Sequence, residues 1–309
     1  MKTSSNSNSE KKFDIYEAVT RQILRNMSGG VLPWRQTWVA RKGQKPPYTN
    51  HFTGKPYSFL NTLLLGEPGE YATWNQIEDA GGHVVKGTKG KMITKWVEYV
   101  PKKYKEEKER LEKEGKDWSH LKAWVLKKYT VFNVRDTEGL KARPNKDEEK
   151  HQMVAAQDPT DVAELVIDDY TVNESVKVDA SDAFSPAYIP DSDTVTVPSK
   201  EAFIYEEDYY ASLFDGLVHS TAAAKRCDRK AEFKQMSGGV VSVREELIGE
   251  IGSSMILAAA GMKRRETHEQ ISAACQKWIR EMNNDFRLIV DASRGAEKAA
   301  KLILGNYAS

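Results

Sequence analysis

The sequence predicts an α+β protein in two parts: a sheet-containing first part, then a mostly helical second part with a short β-sheet of its own. Three observations predict it. Residues 1–145 hold 27 Lys+Arg against 16 Asp+Glu, a net of +11, and residues 146–309 hold 19 against 29, a net of −10. The overall charge of +1 therefore hides two halves of opposite sign, which argues for two domains with different partners. Residues 83–100 read as two strands around a glycine turn, and residues 123–134 read as a further strand. From Tyr205 onward almost all of the chain reads as helix.

The elements follow in order. Residues 1–12 form a polar, disordered lead. In residues 13–27, Ile15, Val19, Ile23 and Met27 stand four apart, one apolar face of a helix that Ser28-Gly29-Gly30 ends. Residues 31–57, rich in Pro, Gly, Trp and Arg, read as an ordered loop. A short helix is expected over Tyr71–Ala80, then a hairpin with Val84 and Val85 before a glycine turn and Met92–Val100 after it. Residues 101–122 carry both charge signs at i,i+4 spacing, which predicts an exposed helical insertion. The first domain runs over 13–145, a linker over 146–158, and the second domain over 159–309. There a helix at 160–170 precedes a short antiparallel pair, VKVD with TVTVP. Helices are expected at roughly 206–224, 242–261, 264–283 and 286–305.

Composition excludes several classes. Cys227 and Cys275 are the only cysteines, so no disulfide framework is implied and a reducing, cytoplasmic setting fits. No run of 18 or more apolar residues exists to span a membrane, and the start lacks the apolar core of a secretory signal.

One helix invites metal chemistry. In an HExxH zinc peptidase, two histidines at i and i+4 share a helix face, and the glutamate between them is the base on the metal-bound water. Here the corresponding stretch is Asp215-Gly216-Leu217-Val218-His219. Asp215 and His219 hold the ligand positions, and Gly216 holds the base position without a side chain. On the next helix Ser242 and Glu245 fit a capping box, which occupies Glu245. Glu246 is then the third-ligand candidate, and Glu250 would orient a ligand by hydrogen bonding from behind it. One Asp and one His at this spacing are also common by chance, and helical glutamates are usually solvated.

The basic half reads as a nucleic-acid surface. Six of the seven tryptophans lie in the first 124 residues. Aromatics interleaved with Lys and Arg suit a single strand, because bases stack on rings and cations track phosphates. The candidate contacts are Trp34, Arg35 and Trp38 in one loop, Tyr57 and Asn61 in TGKPYSFLN, and Lys86, Lys89 and Lys91 in a glycine turn. That turn lacks the Walker spacing. Trp96 and Trp124, set in apolar strand patterns, are expected in the core, and the charge run at 102–116 reads as a solvated helix.

The order of these segments is specific. YYASLFDGLVHST followed by REELIGEIGSSMILAAAGM resembles the ArdC-type antirestriction pattern YYxTLxHELVHxTGH with REELVAExGAAFL. Ala183–Pro186 with TVTVPSKEAF fits the strand pair before that helix. DIYEAVTRQIL, GGVLPWRQTW, TNHFTGKPYSFLNTLLL, ATWNQIEDAGGHVVKGTKG and TVFNVRDTEGL resemble the same family's amino-terminal domain. The resemblance runs from about Phe13 to the C-terminal helices, with one insertion near 101–122. It implies a single-stranded-DNA-binding domain joined to a zincin-like metallopeptidase domain, in proteins of plasmids, phages and other mobile elements that protect incoming DNA from restriction. Two departures stand out: the first metal histidine is Asp215, and the catalytic glutamate is Gly216. The reading that follows is a cytoplasmic, sequence-independent single-stranded-DNA binder with a degenerate peptidase domain. It would hold Zn2+ or another divalent metal weakly or not at all, and a host restriction or other protein is a further partner. Two alternatives stay open: an active metal-dependent peptidase using Asp215, His219 and Glu246, and a metal-free module that binds a host protein.

Overall fold

Helix α1, Ile15–Met27, starts where the Asp14 carboxylate accepts the Tyr16 backbone N–H at 2.8 Å. Its apolar face is the one the four-residue spacing predicts, with Val19, Ile23 and Met27 buried. The computed structural model describes residues 13–35, 46–143, 158–181, 187–229 and 241–307. The polar lead, Trp38, Ala183–Pro186 and nearly all of the expected linker lie outside the described residues.

The first half holds a four-stranded sheet in the order β1 (Tyr48–Asn50), β2 (Gly69–Thr73), β5 (Ala123–Asn133), β4 (Lys91–Tyr99). β1 runs parallel to β2 and the other pairs are antiparallel. Helix α2, Phe59–Leu65, packs on this sheet, and α3, Trp74–Asp79, follows β2 through a capping box built on Thr73 and Gln76. Tyr71 therefore lies in a strand, not at the start of a helix. The expected hairpin is also re-paired. β3 (His83–Val84) joins β6 (Thr137–Glu138), while β4 pairs along its whole length with β5. The insertion between β4 and β5 contains α4, Lys105–Lys113, with no buried residue, as a solvated helix should be.

The second half begins with α5, Pro159–Glu174, capped by Asp158. A three-stranded sheet follows in the order β7 (Lys177–Ala180), β9 (Thr194–Val197), β8 (Ala187–Ile189). β7 and β9 pair in parallel, and β8 supplies the antiparallel neighbour, so VKVD and TVTV do not form the antiparallel pair expected from sequence. Among the described residues four helices follow: α6 (Glu206–Ser220), α7 (Val243–Ala260), α8 (His268–Asn284) and α9 (Leu288–Leu304).

The main buried cluster draws on both halves: Val19, Ile23, Leu63 and Leu126 join Phe214, Ile251, Met282 and Ile289 in it. Thr20 Oγ1 on α1 donates to the Phe286 carbonyl at 2.8 Å. A smaller cluster of Tyr48, Leu65, Tyr71, Ile93 and Val131 lies within the first half.

Candidate functional site

Helices α6 and α7 pack against each other, and the pattern of α7 decides what meets what. Stepping i, i+4, i+7 along α7 places Glu245, Gly249 and Gly252 on one stripe. A Cβ at Gly249 would lie 2.6 Å from Asp215 Oδ1 and 2.7 Å from His219 Nε2, and one at Gly252 would lie 2.8 Å from Val218. This stripe therefore faces the Asp215–His219 turn. Glu246 and Glu250 fall on the neighbouring stripe.

That register reverses the sequence-based assignment of the glutamates. Glu245, fully buried, sits 3.1 Å from His219 Nδ1. Its backbone N–H still donates to Ser242 Oγ, but its carboxylate takes no part in a capping box. Instead it accepts from Arg229 Nε and Nη2, both at 2.8 Å. Glu246 is half-exposed and pairs with Lys277 on α8. Glu250 orients no ligand: it accepts from Trp34 Nε1 at 3.1 Å and Arg35 Nε at 2.6 Å, with Arg264 Nη1 at 3.5 Å. The capping box drew Glu245 out of consideration; only the helix–helix register shows that a buried cation at Arg229 claims it.

The electrostatics close on themselves. Both nitrogens of His219 face carboxylates, Asp215 at 3.5 Å and Glu245 at 3.1 Å. Burial by itself would lower the imidazole pKa. The charge of Asp215 and the hydrogen bonds with both carboxylates outweigh burial and push it up to about 10. Burial would likewise raise Asp215, but the charge of His219, their hydrogen bond and the charge of Arg264 hold it below the usual carboxylate range. Four carboxylates (Asp215, Glu245, Glu250, Glu266) are thus matched by four cations (His219, Arg229, Arg35, Arg264).

The donor set does not fit a divalent metal. His219 is the one nitrogen donor there, and both of its ring nitrogens already face carboxylates, Asp215 at 3.5 Å and Glu245 at 3.1 Å. Gly249 of α7 faces His219 Nε2 so closely that even a Cβ there would lie 2.7 Å from it. Among the described residues no group of three or more His, Cys, Asp or Glu side chains is placed to hold a metal ion. The base position is filled too: a Cβ at Gly216 would lie 2.5 Å from Cγ1 of Val195, a fully buried residue of β9.

The expected DNA contacts divide sharply. Trp34 is 1% exposed, and it and Arg35 are spent on Glu250 and Glu266, so neither offers a surface to a base or phosphate. Trp38 lies outside the described residues. Asn61 is buried and caps the free edge of β4: its Oδ1 accepts the Thr94 N–H at 2.8 Å and its Nδ2 donates to the Thr94 carbonyl at 2.8 Å. Asn61→Leu would strand both backbone groups, at about 1–3 kcal/mol each. The expected result is a loss of stability of about 2–4 kcal/mol in urea denaturation; an unchanged midpoint would refute the edge-cap role. Tyr57 is half-buried, edge-on to Tyr71 at 6.2 Å, beside a groove along β4 that also touches Lys95, Trp96 and Arg294. Lys86 and Lys89 are exposed on a turn that Gly87 (φ +93°) permits, and Lys91 lies 3.7 Å from Glu67. Trp96 packs against the main core under Arg294, as expected, but Trp124 is 59% exposed on the opposite strand.

An ordered sheet-and-helix half followed by a zincin-type helix pair defines a two-part protein of the ArdC kind. Residues 13–132 match the family described as the N-terminal domain of anti-restriction factor ArdC, and residues 164–295 match the zincin-like metallopeptidases. The chain thus joins an ArdC-type N-terminal domain to a zincin-like domain, the domain pair of the ArdC-type antirestriction proteins it resembles. The Mn(II)-bound crystal structure of the antirestriction ArdC protein from the R388 plasmid superposes with a TM-score of 0.65 at 28% identity, covering 96% of this chain and 99% of that one. The metal-free structure of the same protein gives 0.63 at 27% identity, with 96% of this chain and 98% of that one covered. A DNA primase TraC of Escherichia coli is 26% identical over 96% of this chain, which spans about a fifth of that relative's length (20%). An uncharacterized protein, y4eC, of Sinorhizobium fredii is 25% identical over 93% of this chain and 90% of its own length. No described helix is long and apolar enough to cross a membrane.

Proposed function

We propose that the chain is a single-stranded-DNA-binding protein of the antirestriction type, whose zincin-like domain acts as a metal-free scaffold and not as a peptidase. The observation that carries this reading is the packing of Asp215-Gly216-Leu217-Val218-His219. Val195 crowds the base position, and the ligand positions form an ion pair that faces Gly249. With no proton acceptor at 216, water activation loses a contribution typically worth 10²–10⁴-fold in rate. Function then falls on the basic half, where Lys86, Lys89 and Lys91 stand at the mouth of β4. Likeness to the antirestriction ArdC protein of the R388 plasmid and to the DNA primases TraC supports a DNA-directed role.

The test uses the full chain, because the main core spans both halves. Gel shifts should show binding to single-stranded oligonucleotides of unrelated sequence that weakens steeply with salt, with log K falling by about 0.7 per phosphate contact for each log unit of salt. A chelator should change neither this binding nor the melting temperature. Absence of binding at low salt, or chelator-sensitive cleavage of a protein substrate, would refute the proposal; the second result would favour the peptidase reading.

A further inference from the structure

The β4–β5 ribbon has two unlike faces, and the residue pairing separates them. One face carries Met92, Thr94, Trp96 and Glu98 opposite Thr130, Lys128, Leu126 and Trp124, and through Leu126 and Trp96 it meets the main core. The other carries five rungs: Lys91–Val131, Ile93–Tyr129, Lys95–Lys127, Val97–Val125 and Tyr99–Ala123. Its inner end packs Ile93 and Val131 into the small cluster. Beyond them, Lys95 and Lys127 are exposed, Tyr129 is 37% exposed and Tyr99 45%.

Three features of that face go together. None of its ten residues is acidic. Lys95 and Lys127 stand directly opposite each other, a like-charge pair that destabilises a sheet, and among the described residues neither has a carboxylate partner. The lysine rung is flanked by exposed tyrosines, one a single rung away and one two rungs away, with rungs about 7 Å apart along the ribbon. A cationic rung that costs stability, set between stacking rings and free of counter-charge, is complementary to an extended phosphodiester chain whose bases reach aromatic faces.

We infer that this face of the β4–β5 ribbon is where the single strand lies: Lys95 and Lys127 hold phosphates, Tyr129 and Tyr99 stack bases, and Lys91 joins the path to the Lys86–Lys91 turn. The inference rests on the DNA-binding reading and locates its surface. It also moves that surface from Trp34 and Arg35, whose side chains are held by Glu250 and Glu266, to a strand pair whose sequence separation hides the juxtaposition.

The test is the full-length double variant Lys95→Glu/Lys127→Glu. It exchanges one like-charge pair for another on exposed positions, so the melting temperature should hold. Affinity for a fluorescent single-stranded oligonucleotide should fall at least tenfold at low salt, and the salt slope should shrink by about 1.4, the share of two phosphate contacts. Tyr129→Ala should weaken binding about tenfold with the salt slope unchanged, since stacking releases no counterions. Lys105→Glu/Lys113→Glu on α4 changes the net charge equally and should keep wild-type affinity. Equal losses in the two charge-reversal variants would overturn the inference, because net charge alone would then explain binding. So would wild-type affinity in Lys95→Glu/Lys127→Glu alongside a loss in Lys86→Glu/Lys89→Glu, which would leave the DNA-binding reading standing. A change in self-association by sizing with DNA affinity intact would assign the face to a protein partner and overturn it as well. No binding by the wild-type chain would refute the DNA-binding reading itself.

Discussion

Gly216→Glu, which restores the family's general base, is expected to destabilise the chain and leave it without peptidase activity. The Cβ alone would sit 2.5 Å from Cγ1 of Val195, a fully buried side chain, so something must shift to admit it. Overpacking of this kind costs about 1–3 kcal/mol, and a carboxylate buried against a valine without a partner adds several kcal/mol more. Against a total stability on the order of 5–15 kcal/mol the loss should be plain in a thermal melt. Val195→Ala in the same chain should recover part of the loss, because the two positions share one space and their effects do not add. A Gly216→Glu protein with a wild-type melting temperature and chelator-sensitive proteolysis would refute both the packing argument and the scaffold reading.

The second large effect is expected at Arg229. Its guanidinium donates twice to Glu245 and also reaches Thr221 Oγ1 at 3.0 Å and the Val218 carbonyl at 3.1 Å. Arg229→Met would leave the fully buried Glu245 carboxylate with His219 alone. Breaking a buried pair from one side costs about 3–5 kcal/mol, and that loss is the expected result in urea denaturation. Arg229→Lys should fare little better, since an ammonium cannot make the paired bond. The double variant Arg229→Met/Glu245→Gln should regain much of the single variant's loss, because no charge is stranded. If the double variant is as unstable as the sum of the singles, the network has been misassigned.

Much of the architecture was legible in the chain itself. The four-apart apolar face of α1, the exposed insertion around α4, and the helices α6 to α9 follow from local periodicity and charge, which act within a turn or two of chain. Pairing was not legible. The lone strand β3 found β6 rather than β4, and β7 joined β9 in parallel, because partner choice is settled by residues more than ten positions away. Trp34 and Trp124 exchanged the environments their neighbours suggested. Trp34, in a polar loop, gains a buried acceptor in Glu250, whereas Trp124, in an apolar strand, lies beyond the reach of either core.

The zincin helix divides the same way. The sequence by itself determined that the helix resembling the zincin pattern carries Gly216 where that pattern has glutamate and Asp215 where it has histidine. Only the tertiary structure decided what that loss became. A helix sequence states which residues share a stripe, but not which stripe meets a neighbour. Once the Glu245–Gly249–Gly252 stripe faced α6, Glu245 took His219, Arg229 neutralised it, and Glu246 was left to Lys277. A missing side chain is written in one dimension; the ion-pair network around it is assembled in three.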